Sequence, residues 1–402
     1  MYIARTIEKK VRELSRQFKV VVVTGARQVG KSTMLKHCDP ERTYVSLGKP
    51  NIRALAITEP ELFLQRYEAP VIIDEIQYAP NLLDYIKEIV DQSDAKGQYW
   101  LTGSQPFHLM KNISETLSGR AAILNMMGLS LCEKLGIPDE PFALTDEFLS
   151  RKRKQRITLK LPEIFEIIYK GSYPELYAGE ITDLDVYYSS YLQTYLERDI
   201  RGLSSIADES TFIKFIRIVA ARTGQPVKYN QLAAEAGISQ PTAQKWLSLL
   251  ITSGLVYLLE PYYSNLTKRM TKMPKLYFCD TGLCAYLCGW SSSTVLEQGA
   301  MNGAFFETMV VTEIIKSFTS NGKKEPLFYY RDTEQKEIDL IIEENQKLHP
   351  IEIKLTASPN KSMTKSFKYL PEDKASNGAL ICMVTEDYPL SENVVALPMT
   401  YL

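Results

Sequence analysis

Residues 20–33 constrain this chain more than any other stretch. Val20-Val21-Val22-Val23 is an unbroken β-branched run, and Thr24 leads from it into Gly25-Ala26-Arg27-Gln28-Val29-Gly30-Lys31-Ser32, with Thr33 next. A run of that kind reads as a strand buried on both faces. The eight residues after it fit the pattern G-x-x-x-x-G-K-S without a mismatch, between a strand and a helix, which is the context the pattern requires. Glycines let successive backbone N–H groups turn inward, and the helix N-terminus adds the favourable end of its dipole. The product is a cradle for phosphate oxygens. Lys31 is placed to reach β- and γ-phosphates and Ser32 to ligate magnesium, so Gly25 to Thr33 form the expected nucleotide-binding set.

A second apolar strand, Val71-Ile72-Ile73, ends in Asp74-Glu75. Asp74 is expected to hold magnesium, directly or through water, and Glu75 to orient and deprotonate an attacking water. Either half alone has an ordinary structural explanation; their order and context point to nucleotide hydrolysis, most simply of ATP. Leu101-Thr102-Gly103-Ser104 closes another strand, and in a parallel sheet that end lies beside the phosphates. Ser104 or Thr102 could sense the γ-phosphate, though a plain turn gives the same letters. Leu117-Ser118-Gly119-Arg120 offers an arginine to a neighbour's nucleotide, with a surface ion pair as the alternative. The expected catalytic residues are thus Lys31, Glu75 and Arg120.

Short apolar strands at 20–24, 44–47, 71–74 and 98–102 alternate with helical patterns at 1–19, 31–37, 52–67, 82–90 and near 106–117, which predicts an α/β fold with a parallel sheet wrapped by helices. The pattern changes after about residue 128. A tyrosine-rich helical stretch fills 161–219, and the basic run Arg151-Lys152-Arg153-Lys154-Gln155-Arg156 reads as a solvated loop or helix face. The net charge of −1 supplies no global field for a polyanion, so a nucleic acid would have to meet a local patch. Six cysteines without a CxxC pair exclude a disulfide scaffold, and clustered Cys279, Cys284 and Cys288 read as buried thiols. The start lacks a signal-peptide pattern and no apolar run reaches membrane-spanning length, so a cytoplasmic protein without membrane contact is expected.

Within 228–260 the pattern is helix, turn at Gly237, helix, then strand, with Ser239 and Pro241 suited to open the second helix. Ala233, Ile238, Ala243, Trp246, Leu247 and Leu250 make an inner face, leaving Gln240, Thr242, Gln244 and Lys245 outward. Lys268-Arg269-Met270-Thr271-Lys272-Met273-Pro274-Lys275 resembles a basic wing able to touch phosphate, so a winged helix is expected; such modules also serve protein contacts alone. Farther on, Glu337-Ile338-Asp339 and Ile351-Glu352-Ile353-Lys354 alternate as strands. A hairpin would set Asp339 beside Glu352, with Lys354 on the same face, and Glu307 (or Glu313) could add a third acid: a possible second magnesium site. This set resembles the PD-(D/E)xK, restriction-endonuclease-like fold. A solvated strand face would give the same letters, and a domain that binds without cutting fits equally well.

Several of these motifs together resemble a prokaryotic family of AAA-type ATPases that couples an AAA_14 core to a C-terminal DUF4143 region. The matching residues are Gly25–Ser32, Ile73-Asp74-Glu75-Ile76-Gln77, Leu101–Ser104, Ser118-Gly119-Arg120, Gly171-Ser172-Tyr173-Pro174-Glu175, Thr194-Tyr195-Leu196-Glu197-Arg198-Asp199, Tyr277-Phe278-Cys279-Asp280-Thr281-Gly282-Leu283, Phe306-Glu307, Tyr330-Arg331 and Ile351–Lys354. The resemblance implies ATPase activity and a homo-oligomer. The expected division is an ATPase core over 1–128, a helical lid or linker over 129–205, a winged helix over 206–290 and a nuclease-like domain over 291–402. Two functions are open at this point: an ATP-driven motor or switch on DNA, in repair, branched-DNA processing or defence, and an ATP-gated switch that binds protein partners.

Overall fold

The computed structural model describes residues 1–103, 116–179, 181–195, 209–263, 273–332 and 334–402. The first 125 residues build a parallel sheet from β1 (Val20–Thr24), β2 (Thr43–Ser46), β3 (Val71–Asp74), β4 (Tyr99–Gly103) and β5 (Ala121–Asn125), in the order β2-β3-β4-β1-β5. Every residue of β1, β3 and β4 is buried, which is why their sequences read as continuous apolar runs. Strand alternation feeds two layers. Val20, Val22, Ile73 and Leu101 pack on α3 (Pro50–Thr58), α4 (Pro60–Arg66) and α5 (Leu82–Asp91). Val21, Val23, Ile72 and Trp100 face α1 (Ile7–Ser15) and α2 (Lys31–Cys38).

Two elements depart from the expectation. The single helix expected over 52–67 is broken between Thr58 and Pro60, because proline lacks an N–H and disfavours helical backbone in the residue before it. Strand β5 was not foreseen. It is an edge strand in which Ala122 and Leu124 point inward while Ile123 and Asn125 point out, and its alanines give little β signal. The helix expected near 106–117 lies mostly outside the described residues.

Helices α6 (Leu131–Leu135), α7 (Asp146–Gln155), α8 (Leu161–Lys170), α9 (Pro174–Ala178) and α10 (Leu184–Tyr195) follow, then α11 (Glu209–Ala220). The basic run is a helix face, exposed at Arg151, Arg153, Lys154 and Arg156 as expected, but with one residue turned inward and two of the arginines ion-paired. Lys152 is buried and donates to the Leu402 carbonyl at 3.3 Å, Arg153 pairs with Asp387, and Arg151 with Glu140 and Glu147. Next, α12 (Tyr229–Ala236) and α13 (Gln240–Thr252) are joined through Gly237, whose φ of 77° suits glycine. They pack beside an antiparallel sheet, β6-β8-β7, of β6 (Gln225–Pro226), β7 (Val256–Leu259) and β8 (Lys275–Phe278). The basic turn with Lys268, Arg269 and Lys272 lies outside the described residues.

After α14 (Thr281–Cys288) and α15 (Ser293–Gln298) comes the long α16 (Asn302–Thr319), then strands β9 (Leu327–Arg331), β10 (Glu337–Glu344), β11 (Lys347–Ile353), β12 (Gly378–Cys382), β13 (Tyr388–Ser391) and β14 (Val394–Pro398), ordered β13-β14-β12-β11-β10-β9. One apolar core runs without interruption from Val21 through Phe165, Leu247 and Ile314 to Leu397. Among the described residues, no helix is long and apolar enough to cross a membrane.

Candidate functional site

Because β1 to β5 are parallel, their carboxyl ends share one edge of the sheet, with Thr24 level with Gly103 and Ser46 level with Asp74. The 25–32 turn sits on that edge. Gly25 has φ 143°, and a Cβ there would fall 2.1 Å from the Met126 carbonyl oxygen, so the backbone approach itself demands glycine. Gly30, at φ 92°, leads into α2. The buried Lys31 Nζ donates to the carbonyls of Gly25 (3.0 Å) and Ala26 (2.7 Å).

Asp74 gathers hydroxyls. Ser32 Oγ (2.6 Å) and Thr102 Oγ1 (2.5 Å) donate to Oδ1, while Tyr44 (2.8 Å) and Ser46 (3.4 Å) donate to Oδ2. Burial, then the bond to Asp74, raises the Tyr44 phenol pKa, so it remains a donor. Glu75 stands in the left-handed region (φ 61°, ψ 46°); its N–H bonds Thr102 Oγ1 at 3.2 Å and its carboxylate accepts from Gln77. Holding a non-glycine there costs about 1–3 kcal/mol and is characteristic of functional positions. A cavity of about 730 Å³ opens here, lined among others by Tyr2, Gln28, Lys31, Ser32, Glu75 and Pro174. That is within the usual volume of small-molecule sites. All its donors near Asp74 are oxygens, the ligand type magnesium prefers.

Two staples to which the sequence assigned no role complete the cradle. Buried Arg5 pairs with Glu133 (2.9 Å) and donates to the carbonyls of Val29 (2.8 Å) and Met127 (2.8 Å), stapling the 25–32 turn to the chain leaving β5. The second staple is a buried knot. Asp280 accepts from Ser172 N (2.6 Å), Ser172 Oγ (2.7 Å), Leu283 N (2.7 Å) and Tyr188 OH (3.1 Å). A Cβ on Gly171 or Gly282 would lie 2.3 or 2.1 Å from that phenol oxygen. The knot fixes the start of α9, and Pro174 reaches to 3.6 Å from where a Gly30 Cβ would sit. Tyr187 of α10 donates to Gln28 Oε1 at 3.0 Å, and a Cβ on Gly254 would meet Ala26 at 3.4 Å. The phosphate-type loop thus touches the helical segment and the α12–α13 unit directly.

Other expected residues are not brought here. Arg120 lies at the opposite edge of the sheet, its carbonyl bonded to Val20 N, and its guanidinium holds Asp91 through Nε (2.5 Å) and Nη2 (2.9 Å). In the single chain it makes a surface ion pair, and Arg120 is remote from Lys31 of the same chain. Thr102 joins Asp74, while Ser104 lies outside the described residues, as does Leu196 to Asp199.

The 339–352 hairpin forms as expected, with Leu340 opposite Ile351, so Asp339 and Glu352 are neighbours. They do not converge with Glu307 as a ligand set. Lys354 Nζ sits between them, 2.7 Å from Glu352 and 3.3 Å from Asp339. Glu307 is taken by Lys275 (2.8 Å) and Tyr277 (2.7 Å). Among the described residues no three His, Cys, Asp or Glu side chains are arranged to hold a metal, and ammonium groups supply the positive charge instead. Burial, and next the Asp339 charge, pushes the Glu352 carboxyl up to about 7. Glu313 serves elsewhere, accepting from Leu131 N at 2.7 Å. Cys279, Cys284 and Cys288 are free thiols.

Residues 17–135 match the AAA domain model AAA_14. Two models of unknown function follow, DUF8612 over 161–294 and DUF4143 over 302–402. The chain thus joins an AAA domain to a DUF4143 region. The GSYPE and CDTGL motifs of the knot fall in the intervening segment, within the DUF8612 match. Over 396 residues, the chain is 26% identical to the uncharacterized proteins Rv2008c of Mycobacterium tuberculosis and Mb2031c of Mycobacterium bovis, spanning 98% of this chain and 83% of each relative. A STAND-class signal transduction ATPase with a tetratricopeptide repeat sensor from Pyrococcus horikoshii aligns at 15% identity and a TM-score of 0.26, over 77% of this chain and 47% of its own. A DNA replication initiation factor aligns at 11% and 0.25, over 62% and 90%. Likenesses that loose carry no argument about this chain.

Proposed function

We propose that this protein is a magnesium-dependent ATPase whose nucleotide state is relayed to its α12–α13 unit, acting on DNA as a homo-oligomer. The carrying observation is the contact of Ser32 with Asp74, with Glu75 one residue beyond on the same cavity. Magnesium would be held by Ser32 and Asp74 and would neutralise charge on the β- and γ-phosphates. Lys31, now bonded to loop carbonyls, would exchange them for phosphate oxygens. Glu75 would accept the proton of the attacking water, with Gln77 and Thr102 fixing its position. In this reading the ATPase core is 1–128, the helical connector 129–205, a winged helix 206–290 and a nuclease-like domain 291–402.

Removing the ammonium tests the site. Lys31→Ala should weaken ATP binding by about 10–100-fold, the scale of lost charge-assisted contacts. Calorimetry with magnesium and ATP reads this directly; parent-like affinity would remove Lys31 from the site.

The relay to DNA is tested by ATP turnover with and without single-stranded, duplex and branched DNA at fixed salt. Stimulation is expected. The second reading, a switch for protein partners, is favoured by the exposed face of α13, where Lys245 is the single cation. Turnover indifferent to every DNA would select it. The C-terminal hairpin bears on cleavage. Its carboxyl pKa at Glu352 is raised above the ordinary 4.5, so the stability it contributes is complete below about 4.5 and lost as pH rises through about 7. An amide cannot ionise. Glu352→Gln should therefore gain in melting temperature over the parent across that window; equal melts at both ends would show a solvated carboxyl instead.

A further inference from the structure

A second cavity, of about 500 Å³, lies between the α12–α13 unit and the first strand of the C-terminal sheet. Its walls come from both: Arg222, Gln225 and Lys228 on one side, Tyr329 and Arg331 on the other, with Tyr263 between them. Lys228 is exposed and, among the described residues, forms no ion pair. Arg222 and Arg331 are held in place by Glu235 and Glu337, Arg331 at 3.0 Å. The one carboxylate on the wall among the described residues, Asp332, is occupied by the N–H of Lys336 at 2.9 Å. Tyr263 is half-buried, its hydroxyl on the Arg331 carbonyl at 3.3 Å, and Met273 is half exposed beside it. Behind the groove runs a continuous charged chain, Arg331–Glu337–Lys275–Glu307, which fixes the C-terminal wall.

We infer that this groove binds single-stranded nucleic acid. The inference rests on the DNA reading above and moves the contact from the outer face of α13 to the junction of the two segments. Cations on opposite walls, an aromatic ring and an apolar side chain between them match a phosphate backbone with bases turned in against a stacking platform. A volume of this size accepts about one or two nucleotides and excludes a duplex. Carboxamides of Gln225, Gln231 and Gln335 line the rim and suit base edges of any identity. Because the walls belong to different segments, a strand bound there senses their spacing.

The test is fluorescence anisotropy of a labelled oligothymidine, and of a duplex of equal length, with the full chain over a salt series. The parent should prefer the single strand. Lys228→Glu with Tyr263→Ala should lose about tenfold or more in single-strand affinity, and Lys228→Gln alone should flatten the salt dependence by about 0.7 in slope, one phosphate contact. Unchanged melting temperatures establish that both variants are folded. Parent-like binding by both variants overturns the groove and leaves the DNA reading standing. A parent that binds neither single strand nor duplex overturns both. Displacement of the oligothymidine by an acidic peptide of equal charge as readily as by unlabelled strand overturns the nucleic-acid assignment.

Discussion

Glu75→Gln should bind ATP as tightly as the parent and turn it over about 10²–10⁴-fold more slowly, the contribution of a positioned general base. Charge and basicity change while shape does not, and Gln77 and the Thr102 hydroxyl still frame the side chain. The backbone N–H of Glu75 is held by Thr102 independently of its carboxylate, so the fold should tolerate the amide. Steady-state phosphate release read alongside calorimetric affinity separates the two effects. Parent-like turnover would reassign the base.

Asp280→Ala should be the most destabilising single change in the buried knot. It removes one buried carboxylate and leaves two backbone N–H groups, at Ser172 and Leu283, and the Ser172 hydroxyl deprived of their acceptor, while the Tyr188 hydroxyl keeps the Lys170 carbonyl at 2.9 Å. Unsatisfied buried donors cost about 1–3 kcal/mol each, so a loss of about 3–5 kcal/mol is expected. Asp280→Asn keeps one acceptor oxygen and should fall between. Denaturant midpoints for the two variants give the comparison. Since the knot fixes α9 and with it Pro174 against the phosphate-type loop, Asp280→Ala should also weaken ATP, although residue 280 lines no part of the 730 Å³ cavity. Parent-like stability for Asp280→Ala would mean the knot carries no load.

What could be read in advance follows the range of the constraint. The 20–33 stretch dictates its own conformation through adjacent residues, and the strand-loop-helix it predicts is the one observed. Asp74 and Glu75 were legible because a fully buried strand that ends in two acids has few uses. Tyr44 and Thr102 on the Asp74 carboxylate depend on the alignment of parallel neighbours, which no local pattern encodes. Arg5 meets Glu133 across 128 residues, and Ser172 meets Asp280 across 108. Alternation correctly placed Asp339 beside Glu352, a hairpin being local. It could not foresee that Lys275 would claim Glu307, since β8 approaches α16 only in three dimensions. The basic run reads correctly as an exposed helix face, but the burial of Lys152 and the Arg153 pair were out of reach for the same reason: their partners Leu402 and Asp387 lie more than 230 positions away.

Helix α16 has one more effect. Glu313 accepts from Leu131 N, Lys316 donates to the Leu129 carbonyl at 3.1 Å, and Ser317 accepts from Phe142 N at 3.0 Å, all within the exit from the first sheet. Leu131 and Glu313 are 182 residues apart. At about 5–20 residues per second of synthesis, that exit waits about 10–40 s on the ribosome for its partners. The segment leaving the N-terminal sheet therefore emerges with these polar groups still in water, and its docking is deferred until translation has passed well beyond it.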